Sequence, residues 1–265
     1  MSEEHLLVEQ DGHVLTLRMN RPERKNAFSP NMLGRMAEAW DLADSDDDIR
    51  AVVLTGSDSV FCAGADLKAM GSPPADDDEY AKRFAADGTL AWKALLRSHR
   101  LTKPLIAAVE GPAIAGGTEI LQATDIRVAG ESATFGVAEV RRGLFPLGGS
   151  TVRLRRQLHY TVAAELLLTG RTITAQQALE YGLIGSIVPD GNALKRAYEI
   201  AEEIAANGPL AVKAIKRSLQ ETEGLPEAQA LDVELEIGMP IFGTQDAQEG
   251  PRAFAEKRPP VFVGK

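Results

Sequence analysis

The stretch GPAIAGGTEI, residues 111–120, sets Gly111, Gly116 and Gly117 around one turn and follows them with an acid, Glu119. Glycines let a backbone approach a ligand closely and expose its N–H groups, and the start of a helix leaves amide donors unpaired. A second glycine-bearing turn, FCAGAD at residues 61–66, follows the apolar run AVVLTGSDSV. If neighbouring strands bring the two turns together, the N–H groups of Ala65 and Gly116 point at one carbonyl oxygen and form an oxyanion hole. The loss of such a hole costs about 3–4 kcal/mol in a transition state. Each turn taken alone reads first as an ordinary tight turn.

Glu119, taken alone, is a helix-dipole partner worth a few tenths to about 1 kcal/mol. A second acid, Glu139 in FGVAEVRRG, lies 139 − 119 = 20 positions further on. That is too far for one helix face but is the length of one strand-and-helix unit, so both acids can face one cavity. Two carboxyl groups in different environments can divide acid and base roles, one of them tuned toward neutrality by burial. On its own, Glu139 reads as a surface partner of Arg141 or Arg142.

The elements that must position these residues follow from the pattern of apolar positions. HVLTLRMNRP alternates and runs into Pro22 as a strand, NMLGRMAEAWDLADSD has helical spacing, and IRAVVLTGS is a buried strand. The cycle returns with PLIAAVEG, AGGTEILQATD, IRVAG and ATFGV, which predicts an α/β winding of similar ββα units. GSPPADDDE, residues 71–79, has two prolines and four acids and reads as a loop. From Thr174 onward the pattern is helical: TAQQALEYG, ALKRAYEIAEEIAANG, LAVKAIKRSLQETEG and the long segment from Leu225 to Arg258. Thr174 and either Asp190 or Asn192 are expected caps, with Gly182, Gly208 and Gly224 as stops.

Composition narrows the chemistry. The chain has 265 residues, is 44% hydrophobic and 25% charged, and carries a formal charge of −9, which argues against general nucleic-acid binding. The single cysteine, Cys62, and four scattered histidines offer no metal-ligand spacing. Cys62 has no histidine near it in sequence and reads as a buried filler. The acidic opening MSEEHLLVEQDGHV is unlike a secretory signal, and no apolar run approaches a membrane span, so a cytoplasmic protein is expected. LGGST lacks the upstream glycine of a hydrolase nucleophile elbow, and no GxGxxG opens a helix after the first strand.

Taken together, MNRPERKNAF, FCAGADLKAM, VEGPAIAGGTEI, ATDIRVAGESATFGVAEV and RRGLFPLGGSTVRL resemble the crotonase superfamily in order from end to end, and most resemble an enoyl-CoA hydratase. The resemblance implies a crotonase (ClpP-like) α/β spiral of ββα units over residues 1–188, carrying a CoA-ester site. Residues 189–265 then form a helical region that builds a homotrimer or a hexamer, a dimer of trimers. It implies that Ala65 and Gly116 hold a thioester carbonyl while Glu119 and Glu139 add water across a 2-enoyl double bond in fatty-acid or sterol side-chain β-oxidation. Coenzyme A is part of the substrate, and no metal or other cofactor is implied. Arg24, Lys25, Ala63, Asp66, Leu67 and Lys257 match CoA-contacting stretches, Lys257 often from a neighbouring subunit. The residues alone also read Asp66 as a helix cap. Isomerisation, other crotonase chemistry, and CoA-ester binding with little turnover are the competing functions. Retention of both glutamates favours hydration.

Two departures from the common hydratase pattern lie along the expected acyl path. Ala138 precedes Glu139 where proline is frequent, and FPLGGS is one residue shorter than the common proline-glycine-x-glycine-glycine turn. TKPLIAAVEGPAIAGGTEILQATDIRVAGES and EGPRAFAEKRPP are most similar to bacterial hydratases of bulky, steroid-side-chain enoyl-CoA esters.

Overall fold

Residues 51–55 and 105–109 are buried without a break, and their neighbours alternate between two apolar layers. Val52, Leu54, Leu105, Ala107 and Val109 join one hydrophobic cluster, whereas Ala51, Val53, Ile106 and Ala108 join another. That division is the two-residue period of strands covered on both faces. The computed structural model describes residues 4–69, 73–75 and 77–265. Its strands are β1 (Leu6–Asp11), β2 (Val14–Met19), β3 (Ala51–Thr55), β4 (Leu105–Val109), β5 (Pro112–Ile114), β6 (Ile126–Gly130), β7 (Thr134–Gly136), β8 (Ile173–Thr174) and β9 (Ser186–Val188). Its helices are α1 (Pro30–Ser45), α2 (Glu79–Ala86), α3 (Leu90–Ala94), α4 (Gly116–Leu121), α5 (Ser150–Gln157), α6 (Tyr160–Thr169), α7 (Ala175–Glu180), α8 (Ala193–Ala205), α9 (Pro209–Glu221), α10 (Glu227–Gly238) and α11 (Gln245–Glu256).

The large sheet runs β1-β2-β3-β4-β6-β9, antiparallel at β1/β2 and parallel elsewhere, and a small sheet runs β5-β7-β8. Twice the chain leaves the large sheet and turns sharply into the small one: β4 into β5 and then α4, β6 into β7 and then a 3-10 turn at Glu139–Arg142. This is the expected spiral of ββα units. Met32, Met36 and Trp40 of α1 pack on one face of the large sheet. On the other, Ala193, Ala197 and Ala201 of α8 form a stripe spaced by four residues against Val14, Val53, Ile106 and Val128. The helix directly after residue 188 is thus a layer of the core.

Thr174 caps α7 in a full capping box with Gln177. The expected cap of α8 is corrected: Asn192 stands at its start but its side chain donates to the Pro189 carbonyl instead of capping the helix, and Asp190 accepts the Ser132 N–H. The capping acceptor comes from far away in sequence, because buried Glu110 at the end of β4 takes the Ala193 N–H at 2.9 Å. The helical reading of the last third is also corrected by β9, a short strand completing the large sheet, and by a 3-10 turn at Met239–Gly243 that separates α10 from α11 around Pro240. Of the loop expected at 71–79, residues 71, 72 and 76 lie outside the described residues. Asp78 caps α2 through the Ala81 N–H and also accepts from Asn31.

Glu110 therefore ties the outer helix to the strand that feeds the site. Glu110→Ala leaves the Ala193 amide buried without its acceptor, and urea denaturation is expected to show a loss of about 1–3 kcal/mol. Glu110→Gln keeps an acceptor and is expected to lose less.

Candidate active site

Backbone pairing across the small sheet carries the sequence-predicted residues to one place. Cys62 pairs with Ala113, and Ala113 with Phe135. Three positions beyond each of these come Ala65, Gly116 and Ala138, and all three line one cavity of about 390 Å³. Glu119 lies one helical turn after Gly116 in α4, on the same face, and Glu139 directly follows Ala138. Both glutamates reach the same cavity, whose walls are otherwise mostly apolar and include Phe28, Trp92, Leu95, Ile114 and Leu147.

The two amides are free for a reason. The Phe28 N–H donates to the Gly64 carbonyl and the Asp66 N–H to the Phe28 carbonyl, so the amide between them, that of Ala65, faces the other way. Gly116 opens α4, where no carbonyl stands four residues back. Among the described residues neither N–H finds an acceptor. The turns approach so closely that side chains are excluded. A Cβ at Gly64, whose φ is +91°, would stand 2.8 Å from the Ala115 Cβ, and a Cβ at Gly117 would stand 2.3 Å from the Cys62 carbonyl oxygen. Ala115 itself holds φ +53°, ψ −125°, with its own N–H fixed on the Gly136 carbonyl at 2.7 Å. For a residue with a Cβ this backbone costs about 1–3 kcal/mol.

The carboxyl groups have unlike surroundings. Glu119 is buried, and its Oε1 accepts the Ser150 N–H at 3.2 Å at the start of α5, with Gly148 against the other oxygen. Glu139 has one oxygen, Oε2, buried without a partner. Burial, then the negative charge of Glu119, pushes its pKa up to about 7. It does not form the surface pair that sequence alone favoured: Arg141 donates to the Thr169 carbonyl, and Arg142 lies exposed at the cavity mouth.

Of the other expected residues, Ala63 and Leu67 line the cavity, and the Ala63 N–H donates to the Lys25 carbonyl at 3.0 Å. Arg24 and Lys25 project from the surface beside that contact. Asp66 is committed to structure. Although burial opposes its charge, the amides of Ala69 and Lys68 and the guanidinium of Arg21 hold its carboxyl below the ordinary range. Its side chain accepts the amides of the turn that follows, while the helix it was expected to cap runs into residues outside the described ones. Lys257 is exposed at the end of α11 and does not line the cavity of its own chain. Cys62 is buried, its thiol pushed up to about 12 by burial, which suits packing rather than nucleophilic attack. Sequence reasoning missed Ala115 and the contact of Gly148 and Ser150 with Glu119. The glycine pair in FPLGGS was the available signal for the second. Among the described residues no acid, histidine and cysteine cluster suits a metal ion, and no helix is long and apolar enough to cross a membrane.

A ββα spiral whose turns deliver unpaired amides beside carboxyl groups is the architecture of a crotonase-type enzyme. A family model described as enoyl-CoA hydratase/isomerase matches residues 9–265, and the chain belongs to that family. Among curated proteins it is similar to enoyl-CoA hydratase EchA19 of Mycobacterium tuberculosis, 58% identical over 98% of this chain and 96% of that protein. It is also similar to 2,3-dehydroadipyl-CoA hydratase of Escherichia coli, 35% identical over 98% and 99%. Among solved structures it is similar to an enoyl-CoA hydratase from Mycobacterium tuberculosis, with a TM-score of 0.88 and 39% identity over 99% of this chain and 100% of that one. A second, from Bacillus anthracis, has a TM-score of 0.89 and 35% identity over 98% and 100%.

Two outcomes test this geometry. Glu139, labelled with carbon-13 at its carboxyl, is expected to titrate near 7. In Glu119→Gln it should move toward, but not reach, the ordinary value, because the like charge is gone while burial remains. Gly117→Ala must push the 61–66 turn away from α4, and a fall in kcat of about 10²–10³ with a smaller change in KM is expected from steady-state kinetics.

Proposed function

We propose that Glu119 and Glu139 are the acid–base pair with which this protein, an enoyl-CoA hydratase, adds water across the 2,3 double bond of a 2-enoyl-CoA thioester to give the 3-hydroxyacyl-CoA. The observation that carries the assignment is the meeting of two unlike carboxyl groups and two unpaired amides in one apolar cavity. The thioester oxygen accepts from Ala65 and Gly116, which draws electron density from C3. Glu119, held as an acceptor by Ser150, takes a proton from a water as its oxygen bonds to C3. The electron pair of the double bond moves toward the thioester, and the enolate charge develops on the oxygen already facing the two amides. Glu139, protonated near neutrality, delivers its proton to C2. Transfer of the proton from Glu119 to Glu139 then restores the starting state.

The CoA moiety runs past Ala63 and Leu67, with its phosphates met by Arg24 and Lys25 on the surface beside them. The Asp66 side chain supports that path by holding Arg21 and the following turn. The acyl group follows the apolar wall toward Leu144, Phe145 and Leu147, which line the cavity yet remain 47%, 64% and 51% exposed. So open an apolar mouth suits a bulky acyl chain. We also propose assembly as a trimer or a dimer of trimers. Ile215 and Leu219 of α9, Leu235 of α10 and the following Met239 and Phe242 form an apolar surface, with Phe242 79% exposed. A neighbour seated there is the expected source of Lys257 for the CoA.

The test is loss of enoyl-thioester absorbance with 2-enoyl-CoA esters from crotonyl to long-chain and steroid-side-chain. Wild type is expected to turn over, with bulky esters preferred. Glu119→Gln and Glu139→Gln are each expected to lose about 10²–10⁴ in kcat while a thermal-shift assay still reports CoA-ester binding. A folded wild type that binds the whole panel and converts none of it overturns the reading, and puts isomerisation or turnover-free binding ahead.

A further inference from the structure

The turn that backs Glu119 is itself held from behind. Arg153, within the first turn of α5, is half-buried and donates through Nη2 to the Leu96 carbonyl, while Nη1 reaches the Gly148 carbonyl at 3.5 Å. A Cβ at Gly149 would stand 3.5 Å from the carbon and the Nε of this guanidinium, and a Cβ at Gly148 would stand 2.6 Å from Glu119 Oε2. The Gly148–Ser150 backbone is therefore layered between a carboxylate on its cavity side and a guanidinium on its outer side. Gln122 tethers the same turn by donating to Ser150 Oγ at 2.8 Å.

We propose that Arg153 is a positioning residue for hydration: it clamps the Gly148–Ser150 turn so that the Ser150 N–H stays on Glu119, and it keeps a positive charge behind the carboxylate that activates water. The inference rests on the assignment of Glu119 as the base. Arg153 keeps this place against a cost. Burial and the charges of Arg97 and Arg100, which approach from the segment after α3, disfavour its charged form, while Glu119 and then Glu223 favour it. Among the described residues, the other charged groups lining the cavity are Glu139, close enough to Glu119 to act on it by charge and by a side-chain hydrogen bond, and Arg142. When Arg153 is neutralised, the Gly148–Ser150 turn loses its hold on the Leu96 and Gly148 carbonyls and Glu119 loses the cation behind it, so the loss is expected in kcat rather than in KM.

The experiment compares Arg153→Gln, Arg153→Lys and Glu119→Gln with wild type in crotonyl-CoA hydration, as kcat and KM, with thermal melts to report folding. For Arg153→Gln the expected result is a fall in kcat of about 10- to 100-fold with KM within about twofold. Arg153→Lys restores the charge without the two-pronged hold, and is expected to recover only part of kcat. An unchanged kcat in Arg153→Gln, a loss that falls on KM instead, or an Arg153→Lys variant indistinguishable from Arg153→Gln overturns the proposal and leaves Arg153 a packing residue. Full turnover by Glu119→Gln overturns it differently, by removing the base through which Arg153 is argued to act.

Discussion

The pairing of Cys62 with Ala113 is the contact on which the rest of the site depends. The Cys62 N–H donates to the Pro112 carbonyl at 3.2 Å and the Ile114 N–H to the Cys62 carbonyl at 2.8 Å. Two glycine-bearing turns, about fifty residues apart in the chain, are thereby locked side by side. Ala65 and Gly116 emerge from the locked edge at equal distances beyond the pair, so their amides fall together without any side chain steering them. Because the contact is backbone on backbone, it tolerates no Cβ at Gly117. It also leaves Ala115 in a conformation that only the surrounding hydrogen bonds maintain.

A second constraint separates the roles of the two acids. Glu119 lies on a helix deep in the core and is met by the first amide of α5, whereas Glu139 opens a short 3-10 turn where one of its oxygens is buried without a partner. Burial and the neighbouring negative charge both disfavour ionisation of Glu139. In the roles proposed for them, the same residue type serves as acceptor at one position and as proton donor at the other. The apolar walls sharpen this difference, since charges interact more strongly where water is excluded.

The turns of the site were legible in the sequence because their glycines and the 20-residue spacing of Glu119 and Glu139 recur at the step of the winding. The buried strands β3 and β4 were legible as unbroken apolar runs of strand length, and α1 from its helical apolar spacing. What stayed hidden was set by tertiary partners. Glu110 caps α8 across 83 positions, which no local rule for Asn192 anticipates. The three-residue β9 is too short to declare its period and exists because β6 offers it an edge. The burial of Glu139, which turns an expected surface acid into a titrating one, likewise depends on which side of the small sheet the chain emerges.

The central claim is that one thioester oxygen is held by two backbone amides while the reacting carbons lie between two glutamates. A crystal structure of the wild-type protein with bound 3-hydroxyacyl-CoA measures this most directly. The account predicts the thioester oxygen within about 2.7–3.1 Å of both the Ala65 and Gly116 nitrogens, with the 3-hydroxyl in contact with the Glu119 and Glu139 carboxyl groups. A thioester oxygen turned away from either amide, or a 3-hydroxyl remote from both glutamates, contradicts it.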